Sequence, residues 1–361
     1  MKKTIKLSIT TAVLLNTCIY AQSNDLGTLT VSSATKSAQS IEDVTSNVDV
    51  ITSIELEEKH ISSVSDALNL ISGISLTSNG GLGKATSVNI RGFDSKRTLV
   101  LIDGIRYNDI TGTSGAPFAH LMATDIERIE VVKGAQSGVW GADASAGVIN
   151  IITKQPKNGL HGQLSTETGS FNTKKYGALL SYKDERFYTK ASFQKLSTSG
   201  ITSRALKDED IKQYEDDNYD NETTTIKAGI KLNDENKIDI SHTNIDAISQ
   251  SDGSLTKQVG YETTTNDNFS TINYENTNDL ATTTVIYNRS TFDREYTTPT
   301  STTEYDGNVN EYSIKTNIDY LNDTSFVIAG VDYKTFEHTN SINETYNNRI
   351  CVNGGLSTNI Y

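Results

Sequence analysis

Residues Val88–Asp109 read VNIRGFDSKRTLVLIDGIRYND, and Ile126–Lys154 read IERIEVVKGAQSGVWGADASAGVINIITK. Apolar runs of strand length alternate here with glycine-bearing turns and regularly placed charges. Leu99-Val100-Leu101-Ile102 runs into Asp103-Gly104, a dipeptide suited to a two-residue hairpin turn. Val131-Val132 precedes Lys133-Gly134, and Val148-Ile149-Asn150-Ile151-Ile152 closes the unit as a strand. Upstream, Thr52 and Glu55 have the spacing of a capping box for a short helix through Lys59. Ser63 with Asp66 opens a second helix, with Val64, Leu68 and Ile71 on one face and Gly73 as its stop. Residues 41–155 are therefore predicted to form a small α+β domain around a buried sheet.

From about Leu160 the hydrophobic period becomes two. Tyr312, Ile314, Thr316, Ile318 and Tyr320 make one stripe, while Ser313, Lys315, Asn317 and Asp319 between them are polar. Phe187, Thr189, Ala191 and Phe193 alternate with Tyr188, Lys190, Ser192 and Gln194. Ile226, Ala228, Ile230 and Leu232 alternate with Lys227, Gly229 and Lys231, and Val327, Ala329, Val331 and Tyr333 make a further stripe. A soluble sandwich has such stripes too. The connections favour a barrel: short ones at 233–236 and 322–324 alternate with longer polar ones at 201–221 and 341–355. Outer-membrane barrels pair short periplasmic turns with long outer loops in this way. The predicted architecture is an α+β plug domain followed by an antiparallel transmembrane β-barrel, truncated to about nine strands over residues 160–361. A large plugged transporter needs roughly 22 strands. The sequence is accordingly expected to be an N-terminal portion, a split reading frame, or the product of a disrupted gene.

Composition agrees with that reading. Hydrophobic residues make up 35% and mean hydropathy is -0.43, values that alone would suit disorder. Set beside 17 Tyr and 9 Phe against 3 Pro, they suit strands whose alternate residues face lipid. A net charge of -13 argues against nucleic-acid binding and reads as solvated loops and a polar lumen. Lys2, Lys3 and Lys6, then Ala12-Val13-Leu14-Leu15 and Ile19-Tyr20-Ala21, read as a secretory signal over residues 1–21. The apolar run is too short to span a bilayer as a mature helix. A lipid-modified Cys18 fits poorly with Asn16 and Thr17 before it. With Cys18 removed, Cys351 is the remaining cysteine, which leaves no intrachain disulfide and no cysteine metal framework. Residues 22–40 are Ser/Thr-rich and read as a flexible arm holding one β-prone segment, 27–34.

The ordered blocks resemble the TonB-dependent outer-membrane receptors. They are Ile90-Arg91-Gly92, Leu99–Gly104, Ile129–Gly134, Ser137, Trp140-Gly141, Ala142 and Gly147–Lys154. Lys133, Ala135 and Trp140 stand where the family usually has Arg, Pro and Tyr. The match covers the plug fully and the barrel in part. Ser199-Gly200-Ile201, followed by the acidic run Glu215–Asn221, is similar to an early outer loop of the cobalamin-transporter-like branch. The resemblance implies active import across the outer membrane of a Gram-negative bacterium, not catalysis. Its cargo would be a scarce metal-containing ligand, either cobalamin or a ferric siderophore. Its partners would be TonB with the inner-membrane energising complex, and outer-membrane lipid. Gly27, Thr28, Leu29, Thr30, Val31, Ser32, Ser33 and Ala34 take the place of the TonB box, and an extended arm of this kind pairs by β-strand addition. The rival reading is a signal-transducing receptor, which needs a further folded domain ahead of the box.

The expected ligand-facing residues are Asn79, Gly80, Gly81 and Leu82, with Tyr107, Asn108, Asp109, Thr113 and Ser114 after the Asp103-Gly104 turn. Glycine there lets backbone approach a bound molecule. Glu215, Asp216, Asp217 and Asp220 offer oxygen ligands for Ca²⁺, although their spacing is not that of an EF-hand. Arg91 and Lys133 are expected to hold the plug through ion pairs with barrel carboxylates. His60, His120, His161, His242 and His338 lack metal-ligand spacing, so haem capture finds little support. No nucleophile elbow is present, and Gly80-Gly81 with Gly83 lacks the Lys-Ser/Thr of a phosphate loop.

Overall fold

Two sheets of opposite character follow one another along the chain. The computed structural model describes residues 30–33, 39–112, 115–202, 208–210, 214, 216–252, 260–320, 325–341 and 344–359. A short pair, β1 (Thr30–Val31) with β2 (Gln39–Ser40), leads into the first domain. Its strands are β3 (Val48–Thr52), β4 (Ile74–Ser78), β5 (Thr86–Ile90), β6 (Thr98–Ile102), β7 (Ile105–Arg106), β8 (Ile126–Lys133) and β9 (Gly147–Thr153). Five of them form one sheet in the order β3-β8-β9-β6-β7, with β6 and β9 parallel, and β4 pairs with β5 as a separate hairpin.

The expected local signals shape this domain. Helix α1 (Ser53–Glu58) carries the full capping box: Thr52 Oγ1 accepts from Glu55 N, and Thr52 N donates to the Glu55 carboxylate at 2.9 Å. Ser63 caps α2 (Val64–Leu68) through Asp66 N. That helix ends at Leu68, earlier than the apolar spacing through Ile71 suggests. Asp103 and Gly104 have φ of 50° and 83°, the left-handed pair that a tight hairpin between β6 and β7 requires. One face of the five-stranded sheet, with Ile51, Val100, Ile129, Val131, Ile149 and Ile151, packs on Val64, Leu68 and Ile71 in the larger core. The other face carries Leu99, Leu101, Val132 and Val148 in a smaller cluster beside Ala144 and Trp140, the latter on the short helix α3 (Ser137–Trp140).

The second sheet is an unbroken antiparallel meander. Its strands are β10 (Gly159–Thr168), β11 (Lys174–Lys183), β12 (Phe187–Thr198), β13 (Tyr219–Lys231), β14 (Asn236–Ser251), β15 (Tyr261–Thr277), β16 (Ala281–Thr297), β17 (Thr302–Tyr320), β18 (Ser325–Asn340) and β19 (Glu344–Asn359). It has ten strands where the sequence suggests about nine. The difference is β19, which occupies most of the 341–355 stretch read as a loop; its Asn and Gly content hides the alternation, yet it pairs along β18 with one bulge at Phe336/Glu337. The connection 298–301 is also tight, closed by Thr298 N donating to Ser301 O at 2.8 Å.

Burial along these strands is inverted relative to a water-soluble sheet. Phe193, Ile226 and Ile314 are 40%, 53% and 50% exposed, whereas Lys190, Gln194 and Lys227 are 1%, 5% and 6% exposed. The apolar stripe faces outward and the polar stripe faces the first domain, the pattern of a barrel wall in lipid. Among the described residues no helix is long and apolar enough to cross a membrane. Three turns at one end share a device. Asp184, Asn233 and Asn278 each accept two backbone N–H groups through one side-chain oxygen, at 2.8–3.1 Å. The two donors hold the Asp184 carboxyl below its ordinary range, the Phe187 N–H first and the Arg186 N–H second.

Candidate ligand, seam and arm sites

The first domain sits against the wall through one apolar patch and several ion pairs. Ile245, Phe269, Phe292 and Val309 are rare apolar residues on the inward stripe, and all four join the larger core. Tyr107 fills the gap among them, fully buried, with its ring 5.1 Å from that of Phe269. Burying an aromatic side chain stabilises by about 1.5–3 kcal/mol, so this patch is a principal adhesive contact. Burial, above all, pushes the Tyr107 hydroxyl well above its ordinary range.

The ion pairs run opposite to the expected polarity. Lysines and arginines of the wall reach carboxylates of the first domain. Lys190 Nζ lies 2.7 Å from Asp125, Lys227 contacts Asp103 at 2.5 Å, and Arg294 pairs with Asp109. A pair of the other sense joins Arg106 to Glu311 at 3.5 Å, with Asp143 on its second side at 2.6 Å. Lys133 instead bonds Asp49 within its own domain at 2.6 Å, and Arg91 is exposed at a left-handed φ of 51°. Neither makes an ion pair with a wall carboxylate among the described residues. The expectation placed the cations on the wrong partner.

The ligand-facing candidates divide. Asn79, Gly80, Gly81 and Leu82 form the exposed tip of the β4–β5 hairpin, open to a bound molecule. Tyr107, Asn108 and Asp109 are interior groups. Asn108 bridges Val100 N and Thr98 O at 2.8 Å each, and Asp109 Oδ1 accepts from Thr111 N and Oγ1 at 2.7 Å each. Thr113 and Ser114 lie outside the described residues.

The acidic run is organised by a lysine. Asp216 and Asp220 are exposed, Asp217 is 2% exposed, and Glu215 lies outside the described residues. Lys84, 4% exposed just past the hairpin tip, donates to the carbonyls of Asp217 and Gln250. Its burial lowers the ammonium pKa, against opposing pulls from Asp217 and Asp252. Among the described residues no cluster of three His, Cys, Asp or Glu side chains gathers as a metal site. Beside this clamp, His120 is stacked on Tyr219 with centroids 5.9 Å apart, its Nδ1 3.2 Å from the tyrosine hydroxyl. Burial lowers the His120 pKa to about 4.

Of the arm candidates 27–34, residues 30–33 are described, and they lie against the first domain. Ser32 N and Ser33 N both donate to Glu130 Oε2 at 3.1 Å, and Trp140 Nε1 donates to Ser33 O at 2.7 Å. The part Glu130 and Trp140 play toward the arm escaped the sequence reading. The available signal was a carboxylate set among Ile129, Val131 and Val132 on a strand buried on both faces. A cavity of about 500 Å³ opens beside Ser32, between the β6–β7 hairpin and strands β12–β18, with charged side chains on both walls.

Comparison with known proteins now fixes the first domain. Residues 40–148 match the model of the TonB-dependent receptor plug domain. This segment belongs to that family. The chain is 37% identical over 172 residues to the vitamin B12 transporter BtuB of Vibrio vulnificus, covering 47% of this chain and 28% of that protein. It is 28% identical over 241 residues to the BtuB of Photobacterium profundum, covering 66% of this chain and 39% of that protein. It thus spans well under half the length of these curated relatives. The fold is that of the ferripyoverdine receptor of Pseudomonas aeruginosa: TM-score 0.67, 13% identity, 90% of this chain and 47% of that one. The ferric-catecholate import receptor Fiu of E. coli K12 gives TM-score 0.67 and 16% identity over 86% of this chain and 52% of that one. Plug and wall therefore stand in the arrangement of this receptor fold. The relatives named are transporters and receptors, not enzymes.

Proposed function

We propose that the chain is the plug and early barrel of a receptor that imports a ligand across the Gram-negative outer membrane, energised through TonB and its inner-membrane complex. The observation that carries this reading is the inverted wall. An outward apolar stripe meets lipid, and a charged inward stripe is closed off by a folded plug rather than by a second sheet. The seam combines ion pairs, whose parted groups water can solvate, with one apolar patch around Tyr107, so most of the surface uncovered when the plug moves is polar. The cargo is a scarce metal-containing ligand. Sequence similarity to vitamin B12 transporters favours cobalamin, and the shared fold of ferric-siderophore receptors makes a ferric chelate the second candidate. The β4–β5 tip, Asn79–Leu82, is the part of the plug we assign to ligand contact, and segment 27–34 is the part we assign to TonB. Deleting 27–34 from the full-length receptor is expected to abolish uptake and leave ligand binding intact. Uptake that survives the deletion refutes the energy coupling. Binding of cobalamin and of ferric chelates to the purified receptor, side by side, decides the cargo.

A further inference from the structure

On β8, Ile129 and Val131 face the larger core, so Glu130 and Val132 face the smaller one. Glu130 is fully buried. A carboxylate without solvent needs donors or an opposite charge to remain ionised. Three donors reach it: Ser32 N and Ser33 N on Oε2, and Arg128 Nε on Oε1 at 3.0 Å. Two of the three belong to the arm. The arm is held at its carbonyl side as well, where the Trp140 indole N–H meets Ser33 O. Val31 is 1% exposed and Ser33 is fully buried, so the segment is seated rather than draped. Ser32, Arg128, Trp140 and Asn150 also line the 500 Å³ cavity between plug and wall.

We propose that Glu130 is a latch for the arm. Its carboxylate holds Ser32 and Ser33 against the plug, and the arm must leave Glu130 before its backbone can pair with another chain. Strand addition uses the same N–H and C=O groups that Glu130 and Trp140 now occupy, so the two states exclude each other. Departure also uncovers one side of the cavity. The pairing half of this proposal rests on the arm being the TonB-binding strand; the latch itself does not. Glu130 and Trp140 act as positioning residues, distant from the expected ligand tip.

The test uses the full-length receptor with its native cysteines replaced by serine and Val31→Cys as a reporter. The readout is the labelling rate with a membrane-impermeant maleimide. With Glu130 present the buried thiol reacts slowly. Glu130→Gln replaces two charge-assisted bonds with neutral ones of roughly half the strength, so labelling is expected to quicken about tenfold. Trp140→Phe removes the indole donor alone and is expected to quicken labelling too; it decides the matter if Glu130→Gln fails to fold. Glu58→Gln, exposed at the end of α1 and away from the arm, leaves the rate unchanged. Equal rates in the native and Glu130→Gln proteins overturn the latch; where Glu130→Gln fails to fold, equal rates in the native and Trp140→Phe proteins overturn it. The periplasmic domain of TonB is then titrated against each variant. Faster labelling with unchanged TonB binding upholds the latch and refutes the strand-addition reading of the arm, so the two failures are distinguishable.

Discussion

The Lys190–Asp125 pair offers the sharpest measure of how the plug is held. Lys190 is 1% exposed and Asp125 6% exposed. The ammonium lies 2.7 Å from Asp125 Oδ1 and donates to Lys154 O at 2.7 Å, while Asp125 Oδ2 accepts from Ser192 Oγ at 2.9 Å. Lys190→Met leaves a buried carboxylate with a single hydroxyl; Asp125→Asn leaves a buried ammonium without its nearest counter-charge, on Lys154 O at 2.7 Å and Thr153 Oγ1 at 3.5 Å. Removing one partner of such a pair costs about 3–5 kcal/mol, because the survivor stays out of water. Removing both relieves that penalty, so the double variant is expected to lose less than the sum by about 2 kcal/mol, within the range of coupling between contacting groups. Trp140 sits in the plug, so its emission during urea titration in detergent, with any tryptophan beyond residue 361 replaced by phenylalanine, reports plug release. Losses that add to within about 0.5 kcal/mol mean that the two residues do not act as a pair, and the account of the seam as compensated buried charge fails.

Three further outcomes are expected. The unfolded chain takes up a proton at His120 near the ordinary value of 6.5, whereas the folded plug refuses it until about 4. Stability is thus full above 6.5 and is lost as pH falls toward 4, by about 3 kcal/mol at the end of the window; urea midpoints across that range should flatten in His120→Gln, and an unchanged slope refutes the assignment. Ile226→Arg, on the outward stripe, should cost about 2–4 kcal/mol in folding into lipid vesicles, read by gel mobility, and an unchanged yield would mean that this face does not meet lipid. Lys84→Met removes a charged donor from the Asp217 and Gln250 carbonyls, bonds worth about 1.5–3 kcal/mol. Amide exchange over 216–221 should rise at least tenfold, and unaltered exchange would show that Lys84 does not organise the acidic run.

The sequence made the fold legible where one rule governed each element. The Thr52–Glu55 box, the Asp103-Gly104 turn and the period of two beyond residue 160 are local signals, and each appears in the structure where it was read. Strand β19 was missed because Asn353, Gly354 and Gly355 carry turn propensity, which its pairing to β18 overrides. The site was less legible. Arg91 and Lys133 stand out as charges in a plug, but charge alone does not name a partner; Asp103 reads as a turn residue, Asp109 as a ligand contact and Asp125 as neither, until the wall brings Lys227, Arg294 and Lys190 to them. Tyr107 reads as an apical ligand contact in an exposed loop, and the aromatic pair Phe269 and Phe292, far along the chain, makes it core instead.

The arm and the apolar patch lie on opposite faces of the five-stranded sheet: Glu130 on one, and Ile129 with Phe269 and Phe292 on the other. A tug delivered on one face of a body, with ion pairs close to it and the apolar patch on the opposite face, does not strain every bond at once. It lifts the near edge first, and each attachment fails in turn, as adhesive tape comes away from a table. The peak tension is then set by the toughest single attachment and not by their total, so a small force on the arm would suffice where a straight lift would stall.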